Sequence, residues 1–155
     1  MAKATGYAAL ADDSGLCVAC LQGQPGIYSA RWGGKDKDFN HAMRLVHDKM
    51  QQALTLDDIM QADEKTRAAS MHCALVLAIP QNGNIDLHEV EGVVQGSIIW
   101  PICGAHGFGY DAIFMPQSYK QTFAQMPPSL KQSLSHRHQA FQKLLSLRSL
   151  RHMVD

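Results

Sequence analysis

The sequence has no apolar run near the ~20 residues that a membrane-spanning helix needs, so no membrane span is expected. Its first residues, Met1-Ala2-Lys3-Ala4-Thr5-Gly6, lack the long apolar segment of a secretory signal. It has no excess of either charge: 14 Lys and Arg balance 14 Asp and Glu, which argues against the broad basic footprint of a nucleic-acid binder. A local phosphate site needs only a few placed groups and is not excluded. Four cysteines, at 17, 20, 73 and 103, are too few for a disulfide scaffold, so a reducing, cytoplasmic setting is expected. Proline is sparse and 46% of the residues are hydrophobic, which argues against disorder. What remains is a globular chain of 155 residues, one domain by length and large enough to bury a core.

The chemistry-bearing residues begin early. Ala11-Asp12-Asp13-Ser14-Gly15-Leu16 places two carboxylates, a hydroxyl and a glycine directly after the apolar run Tyr7 to Leu10. Clustered acids after an apolar strand suit a Mg²⁺ or Mn²⁺ site that works on phosphorylated substrates. The same letters are ordinary turn chemistry, and on local grounds a turn between strands at 7–11 and 16–21 is the better reading. Cys17 and Cys20 share the Cys-x-x-Cys spacing of zinc and redox motifs. They stand alone within an expected strand, where residues three apart face opposite ways, so two small apolar residues are expected instead.

Gln22 to Gly26 is turn punctuation, and 27–34 reads as a loop holding a few anchors. From Asp38, Phe39, Ala42, Met43, Val46, Met50 and Leu54 recur at helical spacing. A polar connection, partly helical, is expected over 57–69. A buried strand from Met71 to Ile79 ended by Pro80, Asn82-Gly83, and a return strand from Ile85 to Ile99 predict a hairpin, with Gly92 and Gly96 at bulges or bends. Next comes a glycine-rich loop, Gly104 to Asp111, in which a base could stack on Phe108. A glycine-cornered loop with buried aromatics reads equally well there. A closing helix is expected from Ser135, its N-cap, with Phe141, Leu144, Leu145 and Leu150 on the buried face. Lys131, His136 and Arg137 would then gather at a helix N-terminus, which favours anions.

Together, Ala11-Asp12-Asp13-Ser14-Gly15-Leu16, Pro25-Gly26-Ile27-Tyr28-Ser29-Ala30-Arg31-Trp32, Gly107-Phe108-Gly109-Tyr110-Asp111 and Ser135-His136-Arg137 resemble, in order and spacing, the inosine triphosphate pyrophosphatase family. The resemblance implies an elongated α/β fold, a mixed central sheet with flanking helices, a cleft between lobes and a homodimer. It implies Mg²⁺-dependent cleavage of ITP, dITP and XTP to the monophosphate and pyrophosphate. By that resemblance Asp13 would activate water and help hold Mg²⁺, with Asp12 beside it on the metal. Ser14 would touch the substrate, and Phe108, Gly109, Tyr110 and Asp111 would hold the base. Lys131, His136 and Arg137 would read its 6-oxo edge. The family's amino-terminal strand, its Thr-Gly-Asn-x-x-Lys phosphate loop and a following glutamate have no counterpart here. The expectation is therefore one N-terminally truncated domain over residues 1–155, with binding or dimerisation without turnover as the alternative function. Ala19 and Ala112 stand where the family usually has aspartate and proline. His138 replaces a usual glycine and would bring a ring near the base.

Overall fold

The computed structural model describes residues 1–55, 66–81 and 83–147. A short helix α1 (Ala2–Thr5) leads into strand β1 (Ala9–Val18), followed by helix α2 (Phe39–Ala53), strands β2 (Ala68–Gln81), β3 (Asn84–Ile98) and β4 (Phe114–Pro116), and helices α3 (Pro128–Leu134) and α4 (His136–Ser146). The strands form one sheet in the order β1-β2-β3-β4, antiparallel at every pairing described. The expected α/β class with flanking helices is what is found.

The acidic stretch is not a turn. All ten residues of β1 pair with β2, from Ala9 opposite Ala78 to Val18 opposite Ala69. Continuous pairing to the long β2 overrides the local turn preference of Asp, Ser and Gly. Gly15 serves a different need: a Cβ there would lie 2.4 Å from the Gly26 carbonyl oxygen, so a side chain would push away the following loop. That loop carries the expected turn punctuation, with Gln22, Gly23 and Gly26 at positive φ. Cys17 ends up in β1, but Cys20 lies in a 3-10 turn (Ala19–Leu21), not in a strand; all four cysteines are free thiols.

Helix α2 starts where its apolar spacing predicts. The Asp38 carboxylate accepts from the Asn40 and His41 amides at 2.9 and 3.2 Å, which satisfies two orphan donors of the first turn. Ala42, Met43, Val46 and Met50 then meet Leu16, Val18, Met71, Val94 and Ile98 from the sheet and Phe114, Phe123 and Met126 from the later chain. Each large apolar side chain so buried contributes roughly 1.5–3 kcal/mol. The β2–β3 hairpin is as expected, though β2 runs one residue past Pro80, which pairs with Ile85 near the turn. Asn82 and most of the expected 57–69 connection lie outside the described residues.

Gly92 and Gly96 do not bend β3; its register with β2 is unbroken. They let other elements approach. A Cβ on Gly92 would lie 1.9 Å from the His136 carbonyl oxygen and 2.6 Å from the Ala140 amide, and one on Gly96 would lie 2.3 Å from the Met115 carbonyl oxygen. The closing segment is two helices, because Ser135 leaves the helical region and its hydroxyl accepts from the His138 amide at 3.1 Å to start α4. The buried face of α4 is His136, Ala140 and Leu144. Phe141 and Leu145, expected inside, are 43% and 51% exposed, since only the 136/140/144 row faces the sheet. Leu150 lies outside the described residues. No helix among the described residues is long and apolar enough to cross a membrane.

Gly92→Ala is therefore expected to cost roughly 1–3 kcal/mol, toward the upper end, because the clash is with backbone and not with a movable side chain. Urea denaturation checks it; an unchanged midpoint would show that α4 does not press on β3 this closely.

Candidate functional site

Strand alternation sorts the acidic stretch. Leu10, Asp12, Ser14 and Leu16 share one face of β1, the face covered by α4 and the glycine loop, and Asp13 projects from the other. On the covered face lies a cavity of about 630 Å³. Asp12, Ser14, Phe108, Gly109, Tyr110, Asp111, Lys131, His136 and Arg137 all line it. Residues up to 125 positions apart in the chain are thereby brought together as the sequence suggested. Asp13 is exposed and does not line it, and no hydrogen bond or ion pair among the described residues engages its carboxylate.

Two ionic clusters organise the cavity. In the first, the Arg137 guanidinium donates to both Asp12 carboxylate oxygens, at 2.6 and 3.3 Å, and to the Ser14 hydroxyl at 3.2 Å. Ser14 in turn donates to Asp12 at 2.7 Å. Partial burial pushes the Asp12 carboxyl pKa up, but the bonds from Arg137 and Ser14 outweigh it and hold it below its ordinary value. The same bond to Asp12 raises the Arg137 pKa. The Arg137 and Asp12 side chains keep 42% and 32% of their exposure, so the pair is worth about 1 kcal/mol or less. Asp12 thus holds Arg137 in place.

The second cluster is drier. Lys131 donates to an Asp111 carboxylate oxygen, and the pair keeps only 16% and 6% of its side-chain exposure. The same Asp111 oxygen accepts from the Phe108 amide at 2.7 Å, which fixes the loop that carries the aromatic ring. Lys131 Nζ stands 4.8 Å from the Phe108 ring centroid and Arg137 Cζ 5.5 Å from it, so two cations rest on an exposed ring. Gly107 permits this close fold, since a Cβ there would lie 2.1 Å from the Asp111 carboxylate and its φ is +80°.

Ser29 is a residue the sequence reading passed over. Its hydroxyl accepts from the Leu16 amide at 2.9 Å and donates to the Gly26 carbonyl at 2.6 Å, while its carbonyl accepts from the Tyr110 hydroxyl at 2.8 Å. It fastens β1, a second 3-10 turn (Gly26–Tyr28) and the glycine loop to one another. The available signal was its place in the Pro25–Trp32 stretch. Phe141 was assigned to the core but walls the cavity, and His138 also lines it, as its position beside Arg137 implied.

His136 is 8% exposed, and its Nδ1 has no hydrogen-bond partner. Burial, then the charges of Arg137 and Lys131, push its pKa down to about 4, so the ring is neutral near pH 7. A buried polar atom without a partner is costly.

Known proteins fit this arrangement. The model of the Ham1 family matches residues 1–147. A dITP/XTP pyrophosphatase of Zymomonas mobilis is 44% identical over 146 residues, covering 94% of this chain and 65% of that protein. One from Rhodospirillum centenum is 44% identical over 145 residues, covering 94% and 66%. A HAM1 protein from Coxiella burnetii superimposes with a TM-score of 0.79 at 37% identity, over 92% of this chain and 68% of that one. The Staphylococcus aureus Ham1 protein does so with 0.77 at 32%, over 92% and 67%. The chain spans about 65% of the length of these curated relatives. The resemblance read from four motifs is borne out.

The state of His136 has a measurable consequence. Its folded pKa of about 4 lies below the ordinary ~6.5, so the unfolded chain takes up the proton first. Stability is therefore lost as pH falls through that interval. Between pH 7 and pH 5 the wild type is expected to lose about 2 kcal/mol more than His136→Gln, in urea titrations at each pH. Equal losses would mean the ring is not buried neutral.

Proposed function

We propose that this chain, which belongs to the Ham1 family, takes nonstandard purine nucleoside triphosphates (ITP, dITP, XTP) and hydrolyses them to the monophosphate and pyrophosphate. The observation that carries the base choice is the unpartnered, neutral His136 imidazole beside Lys131, Arg137 and the exposed Phe108 ring. Lys and Arg only donate hydrogen bonds, and one imidazole tautomer donates from Nδ1. Such donors suit a 6-oxo group and face an adenine amino group unfavourably, so adenine is rejected by leaving buried polar groups unpaired. Phe108 offers the stacking surface, with Gly109, Tyr110 and Asp111 shaping its loop.

On this reading Asp13 accepts the proton of the attacking water and Ser14 contacts the substrate near Arg137. Among the described residues no group of three His, Cys, Asp or Glu could hold a metal ion. That fits Mg²⁺, which binds through one or two carboxylates together with substrate phosphates and not in an all-protein cage. Asp13, with its unengaged carboxylate, would hold the ion; Asp12, expected beside it on the metal, faces the other side of β1 and is bonded to Arg137 instead. When bound, Mg²⁺ neutralises phosphate charge, while the chain's own groups position the triphosphate and the water. The relatives are named as dITP/XTP pyrophosphatases, which supports the substrate class. One domain over residues 1–155, a homodimer and a cytoplasmic setting belong to the same reading, supported by the family resemblance.

Pyrophosphate release from ITP, XTP and ATP with Mg²⁺ tests it. Turnover of ITP and XTP well above ATP is expected, with Asp13→Asn reducing it by about 10²–10⁴-fold while IMP binding stays intact. Arg137→Ala should narrow the preference for IMP over AMP. Saturable IMP binding with no turnover would replace this reading with binding alone, and equal handling of ITP and ATP would remove the base assignment.

A further inference from the structure

The sheet face turned away from the cavity carries Asp13 and, beside it on β2 and β3, a second set of reactive side chains to which the proposed reaction gives no role. Ser70 and His72 lie two residues apart on β2 and so share a face, opposite to Met71, Cys73 and Leu75 in the core. Glu91 sits across from Ala74 on β3 and presents its side chain on the same face. The Ser70 hydroxyl lies 2.8 Å from His72 Nε2, and His72 Nδ1 lies 2.8 Å from a Glu91 carboxylate oxygen. An unprotonated Glu91 only accepts, so a neutral ring carries its hydrogen on Nδ1. The lone pair of Nε2 then faces the Ser70 hydroxyl. This is the connectivity of a hydroxyl nucleophile, an imidazole base and an orienting carboxylate. His72 keeps 35% and Glu91 57% of their side-chain exposure, so solutes reach the cluster.

We propose that Ser70 is a nucleophile activated by His72 and oriented through Glu91, reactive toward activated phosphoryl or acyl esters and independent of the cavity. In the step with a fluorophosphonate, Ser70 Oγ attacks phosphorus, the Oγ–P bond forms and the P–F bond breaks. Fluoride leaves with the bonding pair, and the hydroxyl proton passes to His72 Nε2, giving an imidazolium held by Glu91. Strand β2 is flanked by β1 and β3, so its backbone N–H groups are spent in the two ladders and none is left to stabilise an oxyanion. The site therefore takes substrates with good leaving groups and reacts once, without turnover. Cys17, opposite Ser70 on β1, is no competitor, because burial and the Glu91 charge keep its thiol protonated.

A fluorophosphonate probe with mass mapping of the labelled residue tests this on the whole chain. Stoichiometric label on Ser70 is expected, none on Ser70→Ala, and labelling at least about tenfold slower on His72→Asn. Glu91→Gln should slow it less. Ser133, an exposed serine whose hydroxyl donates to a backbone carbonyl and has no imidazole, is the internal control. An unlabelled Ser70, label on Ser133 at an equal rate, or an unchanged rate in His72→Asn would overturn the proposal.

Discussion

The constraint on which the rest of this structure depends is the contact of α4 with β3 at Gly92. The helix lies so close to the strand that a methyl group would overlap the His136 carbonyl. This closeness buries His136 and strips its imidazole of water. It also carries Arg137 across to β1, where the guanidinium meets Asp12 and Ser14. A single missing side chain on β3 thus sets both the polarity of the cavity and the reach of its cations. Lys143 ties the far end of the same contact, donating to the Glu91 carbonyl at 2.7 Å.

The two ionic clusters differ in what they can do. Asp12 and Arg137 are half in water, so their pairing costs little to break and little to remake around a ligand. Asp111 and Lys131 are nearly dry, and removing one partner would leave a buried charge, a loss of about 3–5 kcal/mol. The cavity therefore has a dry wall, where Asp111 fixes the Phe108 loop, and a wetter one, where Asp12 holds Arg137.

Much of this was legible in the sequence because its signals were periodic or spaced. The α2 face, the hairpin and the Ser135 cap follow from local rules, and four separated motifs named the residues that converge. What was misread depended on contacts far along the chain. Asp12-Asp13-Ser14-Gly15 has turn composition, and only the pairing with β2, some 60 positions later, makes it strand. Gly92 and Gly96 carry a bend signal locally, yet their reason is helix α4 packed on the sheet over Gly92 and the paired strand β4 lying close beside Gly96. Phe141 fits an amphipathic pattern but lies one step round the helix from the row that meets the sheet. Ser29 had only its place in the Pro25–Trp32 motif as a signal, since two of its bonds go to distant segments, β1 and the glycine loop.

Strand geometry also limits how the proposed chemistry can be arranged. Asp12 and Asp13 are adjacent in sequence and on opposite faces of β1, so one faces the cavity and its partner does not. Neighbouring carboxylates on a strand cannot share one task as two on a loop can. If the base is held by Phe108 and His136 on the covered face while Asp13 meets the phosphates, the nucleotide must cross the margin of β1 between them. Among the described residues β1 is the outer strand of the sheet. Arg137 and Ser14 stand on the cavity side of the crossing, and Asp13 stands on the other. On the proposed reading the acidic pair would divide the labour: Asp12 anchors Arg137 on the cavity side, and Asp13 would be left for the water and the phosphate end.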